Sequence, residues 1–265
     1  MDERSPMNAS KESASDEFWR ALEAALSEMG DLVVSNDPLP KGLRDLDENE
    51  GGFGARFLTG LARFFDGLQF GSTAFLLMLA RQGWYPGASM PLDVLSEGAT
   101  LLASAEKEGN ELLAEYFRST LGSLESELSS RHPRHADAIR QTLQAHTAES
   151  YYVSVPSFLI LAEAIAKDRG LPSPYEKQQG QKPMKDALLS RDEFRAAVGL
   201  LAPLLVSAPL DWSADQRKSY GNPVLNRHLI LHGECSDYGT EMNSLRALSH
   251  LAYVSDVLNT YTLSR

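Results

Sequence analysis

The large apolar residues between Leu112 and Leu128 fall on a single stripe. Leu112, Leu113, Tyr116, Phe117, Leu121, Leu124 and Leu128 recur with the 3.6-residue period of an α-helix. The same spacing returns in Phe18, Trp19, Leu22, Leu26 and Met29, with Ser15 or Asp16 placed to cap. It returns again in Phe57, Leu61, Phe64, Phe65 and Leu68, in Phe75, Leu76 and Leu79, and in Leu92, Leu95, Leu101 and Leu102. Val155, Phe158, Leu159, Ala162 and Ile165 mark a further helix, and Pro133 suits the first turn of one carrying Ile139 and Leu143. No run of four to eight residues alternates apolar and polar, which a half-buried strand requires. The expected fold class is all-α, a helical bundle.

Length and composition agree with a folded body. The chain has 265 residues, 43% hydrophobic and 23% charged, ordinary values for a globular protein. The single cysteine, Cys235, excludes an internal disulfide framework and any multi-cysteine zinc site. The charge-free stretches Leu68–Ala80 and Ala196–Leu210, the second broken by Pro203, fall short of the roughly 18–20 apolar residues of a membrane span. The acidic N-terminus has no apolar stretch of the secretory kind. A soluble, cytoplasmic protein with no membrane partner is the expectation.

The net charge of −11 is unevenly spread. The first 50 residues carry 13 Asp/Glu against 5 Lys/Arg, so the remainder is nearly neutral. Nonspecific coating of DNA needs several clustered cations and is a poor fit. A site engaging one or two phosphates is not excluded. The organisation reads as a disordered lead at 1–14, a helical region at 15–130 and a second helical region at 131–265. Within the second, residues 169–190 read as the clearest internal loop, mildly basic through Lys177, Lys182 and Lys185. A helix opening on Ser190 and Glu193, spaced as a capping box, follows it.

The stretch from Asn222 to Asp256 is the most informative. Asn222-Pro223 is a good helix start, Gly233 a good stop, and Leu245, Leu248, Leu251, Val254 and Leu258 continue as a second helix. Arg227, His228 and His232 therefore sit on the first arm of a helical hairpin. Histidine moves protons near neutral pH, and a guanidinium answers charge developing on phosphate oxygens. On a straight helix Arg227 and His232 would diverge by about 140°, whereas His228 and His232 share a face.

Arg227-His228-Leu229-Ile230-Leu231-His232 resembles the motif of the HEPN superfamily, an arginine followed by a polar residue with a histidine a few positions on. The flanks NRHLILHG and DYGTEMNSL, and more loosely GWYPGASMP, AEYF and ESYYVSVPSFLILAEAI, are similar to a bacterial branch with a C-terminal HEPN-like region. The resemblance implies a metal-independent endoribonuclease, a toxin or antiphage effector, with Arg227, His232 and His228 as catalytic residues. It also implies RNA as substrate, a homodimer with facing motifs, a protein antitoxin as a further partner, and no cofactor or metal. The alternative is a catalytically inactive HEPN-like module that binds nucleotide, RNA or a protein.

Simpler roles compete at each position. His232 could cap helix carbonyls, Arg227 could pair with Asp237 or Glu241, and His228 could be a polar surface residue. Cys235 reads as an inert, partly buried thiol rather than a nucleophile. His132, His135 and His146 read as solvated surface rather than a metal site. Trp84 and Tyr85 read as core anchors at a turn.

Overall fold

The computed structural model describes residues 76–87, 90–177, 182–190, 198–220 and 225–260. The expected disordered lead, the helix at Phe18–Met29, the helix at Phe57–Leu68 and the start at Asn222-Pro223 lie outside these residues. After a helical segment at 76–81 come α1 (Leu92–Ser104), α2 (Glu106–Arg131), α3 (Ala136–Thr147) and α4 (Tyr151–Asp168). They are followed by α5 (Pro183–Leu189), α6 (Val198–Leu205), α7 (Ala214–Tyr220), α8 (Arg227–Leu231) and α9 (Glu241–Thr260). Two 3₁₀ turns, Pro133–His135 and Pro209–Asp211, complete the path. Among the described residues there is no strand, and the protein is an all-α bundle.

The centre of the bundle is α9. Every residue from Ser244 to Leu258 is buried, so this helix has no solvent face. Its apolar members Leu245, Leu248, Leu251 and Val257 interleave with small residues and serines that let neighbours approach. It packs most extensively on α4 and also on α2, while α3 bridges the two. Trp84 and Tyr85 are buried at the turn after 76–81, and Trp84 stacks on Phe117 of α2 with centroids 5.7 Å apart. Both are core anchors, as the sequence suggests.

Residues 169–190 are not all loop. Pro183 opens α5, and Met184 and Leu188, four apart, bury its inner face. Ser190 closes that helix, and Glu193, its partner in the expected capping box, lies outside the described residues.

The expectation of solvated histidines in and beside α3 is wrong for His132 and His146, while His135 is partly exposed. Ile139, Leu143 and His146 share one face of α3, so His146 is carried into the core with the two aliphatic residues. There its Nδ1 lies 2.8 Å from Ser244 Oγ, which is itself 2.6 Å from Ser154 Oγ. His132 is buried with Nε2 2.7 Å from Ser255 Oγ, and His135 pairs with Asp168 at 3.0 Å. These are structural contacts to serines of α9 and to a carboxylate at the end of α4. No group of three His, Cys, Asp or Glu among the described residues could hold a metal ion. No helix there is long and apolar enough to cross a membrane.

The buried histidines make stability fall in mild acid. Burial, then the charge of Arg169, pushes His132 down to about 4, and burial pushes His250 down to about 3. With folded pKa values below the unfolded one, the unfolded chain binds more protons as pH drops below about 6.5. Each histidine then contributes a slope of about 1.4 kcal/mol per pH unit, levelling off only below its folded value. Urea midpoints measured between pH 7 and 5, above the main carboxylate range, should decline steadily. A flat profile would contradict the neutral burial of these rings.

The tight turn between α1 and α2 depends on Gly109. A Cβ there would lie 2.6 Å from the Leu102 backbone nitrogen, where no flexible side chain can yield. Gly109→Ala is expected to cost about 1–3 kcal/mol in urea unfolding through overpacking, despite alanine's better helix propensity. Unchanged stability would show that the two backbones are not in contact.

Candidate functional site

The short helix α8 is held firmly at both ends. Asn226 is its N-cap: extended backbone, with the side-chain oxygen accepting the Leu229 N–H at 3.1 Å. The Asn226 amide donates to Pro209 O at 2.8 Å and Trp212 O at 3.1 Å, fastening the cap to the 3₁₀ turn. At the other end Gly233 takes φ +72, a conformation that favours glycine. Its N–H donates to Ile230 O and the Glu234 N–H to Leu229 O, the paired bonds of a Schellman stop. The stop is therefore where the sequence places it, and the helix that carries Arg227 opens at Asn226.

The following turn is pinned to α4. Pro156 has no N–H to offer the carbonyl of Tyr152, and the Tyr238 hydroxyl takes it at 3.2 Å. Tyr152 in turn donates its hydroxyl to Ser236 O at 3.0 Å. Gly239 permits this approach, since a Cβ there would meet the Tyr152 ring at 2.5 Å.

All three predicted site residues belong to this helix or its end. Arg227 is its first residue and His232 its C-cap, whose N–H donates to His228 O at 3.0 Å. That bond is still the i→i−4 bond of an α-helix, so His232 follows the helical path although the helix ends there. His228 is partly buried and His232 exposed, and their rings lie nearly parallel, 7° apart with centroids at 5.9 Å. Burial holds His228 below its ordinary pKa, and the charges of Arg227, His232 and Lys177 act in the same direction against Asp211. These surroundings favour the neutral imidazole of His228.

Arg227 pairs with neither Asp237 nor Glu241. Its Nη2 donates to Glu163 Oε2 at 3.0 Å, and its guanidinium lies 4.8 Å from the centroid of the Tyr175 ring. Glu241 is taken by Arg118, and Asp237 accepts from Cys235. The Arg227 side chain is only 22% exposed, with Nε buried and unpartnered. Burial alone would raise the Glu163 carboxyl, but the hydrogen bond from Lys167 and the charge of Arg227 outweigh it and hold it below its usual pKa. Cys235 is partly buried with its thiol pushed up by burial and by Asp237, which makes it a poor nucleophile.

A buried ionic cluster underlies the site. Lys177 Nζ bonds Ser207 Oγ and Gln216 Oε1, both at 2.7 Å, and approaches Asp211 Oδ1 at 3.2 Å. Lys182 reaches Asp211 Oδ2 at 2.6 Å and Val206 O at 3.1 Å. Glu163, Tyr175, Lys177 and Asn226 are the site residues that sequence reasoning missed. Glu163 stands out as the one acid inside the apolar run of α4, and Tyr175 and Lys177 lie in the segment singled out as a basic loop.

A cleft of about 550 Å³ opens beside α8, lined by Asn226, Leu229, Ile230, Tyr238 and Asn243 among others. Its α8 residues occupy the face opposite Arg227, His228 and Leu231. The imidazoles and the guanidinium thus do not line it. Chemistry, not concavity, marks the candidate site. No family model, curated protein or solved structure matches the chain.

Proposed function

We propose that the α8 site cleaves RNA without a metal, as a HEPN-type endoribonuclease would. The observation that carries this reading is the stacked His228–His232 pair, unequal in exposure, beside Arg227. In such a reaction the ribose 2′-oxygen attacks phosphorus, a P–O2′ bond forms and the P–O5′ bond breaks. Neutral His228 suits the base that takes the 2′-hydroxyl proton. His232, on the exposed side of the pair, suits the acid that protonates the leaving 5′-oxygen. Arg227, oriented by Glu163 and Tyr175, would offer its remaining N–H groups to the non-bridging oxygens as charge develops on them. The products are a 2′,3′-cyclic phosphate and a 5′-hydroxyl.

A homodimer belongs to the same proposal. Tyr152, Val153 and Ile160 of α4 are each more than half exposed, large apolar side chains on the helix that also carries Glu163. That strip supports an interface running past α8. Light scattering at tens of micromolar should give the mass of two chains, and a monomer with full activity would count against it. The toxin or antiphage setting and a protein antitoxin rest on the resemblance alone.

One observation favours a second reading, a non-catalytic module for RNA, nucleotide or protein. Arg227 already has a carboxylate partner, and Glu163 would repel an incoming phosphate. Purified protein incubated with total RNA in EDTA, beside His232→Ala and His228→Ala, separates the two. Cleavage lost in the variants supports the enzyme. Binding without cleavage of any RNA supports the module.

A further inference from the structure

A second polar site lies inside the bundle, where Tyr85, His250, Lys182 and Asp211 line a cavity of about 10 Å³. All four are at least nine-tenths buried. Tyr85 and His250 touch in a T-shaped contact, centroids 4.6 Å apart, yet the Tyr85 hydroxyl and both His250 ring nitrogens have no hydrogen-bond partner. A hydroxyl can donate and accept, and a neutral imidazole has one donor and one acceptor. Two residues with unused hydrogen-bonding positions therefore line one small space, in a core where such groups are almost always satisfied. Lys182 adds to them: its bonds to Asp211 and Val206 O leave the ammonium a third proton.

We infer that this cavity is a binding site for one water molecule, bridging Tyr85 and His250 to the Lys182–Asp211 pair. Size selects this ligand: the volume matches a single water and nothing larger. Asp211 is shared by Lys182 and Lys177, and the space is too small for a chloride ion or an oxyanion that would answer the second lysine. Its lining also presents two to four polar partners, the number an internal water requires. An apolar gas or methyl group would leave all of them unmet. This inference is independent of the proposed ribonuclease activity, since neither Tyr85 nor His250 belongs to α8.

The sign of one substitution tests it. If the Tyr85 hydroxyl bonds a water, Tyr85→Phe removes a satisfied group and strands its partners, and Tm should fall by about 2–6 °C. If the hydroxyl is truly unpaired, the same change relieves a buried polar group and Tm should stay or rise, which would overturn the inference. A crystal structure of the unaltered chain at better than 2 Å gives the second measurement. A density peak within hydrogen-bond reach of Tyr85 Oη and of a His250 ring nitrogen supports the site. Featureless space there refutes it, including in the case where Tyr85→Phe fails to fold.

Discussion

His232→Ala is expected to slow RNA cleavage by about 10²–10⁴-fold, the usual worth of a positioned acid or base, while leaving the fold intact. The fold should survive because His232 is exposed and alanine keeps its backbone N–H bond to His228 O. EDTA should not change the rate of the parent, and the products should carry a 2′,3′-cyclic phosphate. His228→Ala should show a loss of similar order, since the two rings are proposed to handle the two proton transfers. Arg227→Lys is less clean: it forfeits the planar fork but also the contact with Tyr175, so its activity must be read beside its unfolding midpoint. Cleavage by His232→Ala at the parental rate would sink the mechanism, as would cleavage that stops in EDTA.

The fold class was legible because helical spacing depends only on which residues are apolar. The stripe of α2 buries Leu113, Phe117, Leu124 and Leu128, as the periodicity requires. Gly233 was legible as a stop because a positive φ has few other tenants. Other features were hidden by their distance along the chain. The Arg227–Glu163 bond spans 64 positions, and the capping role of Asn226 rests on carbonyls of Pro209 and Trp212 that nothing local announces. The buried histidines were misread for a related reason. His146 keeps step with Ile139 and Leu143, but its acceptance into the core depends on Ser244, about a hundred residues away in sequence. Short-range pattern finds the elements, whereas satisfaction of polar groups is decided between elements.

Asp211 shows how closely the candidate site depends on such long-range pairing. Its carboxylate accepts the Ala208 N–H at 3.0 Å and the Ser207 hydroxyl at 3.1 Å, and it faces both Lys182 and Lys177. Asp211→Ala would strand a lysine that is 5% exposed and a second that is 17% exposed. Removing one partner of a buried pair costs about 3–5 kcal/mol, a large share of the roughly 5–15 kcal/mol that holds a domain together. Lys182→Met should cost less, because Asp211 keeps Lys177 as a partner. The double variant Lys182→Met/Asp211→Ala should recover part of the loss, since one buried charge is then no longer stranded. The effect should reach the site, because Asp211 ends the 3₁₀ turn whose Pro209 carbonyl receives the Asn226 amide. Loosening that turn frees the cap of α8 and with it Arg227 and His228. Urea unfolding of the three variants is the measurement, and a loss below 1 kcal/mol for Asp211→Ala would show that the pair is not the anchor of this region.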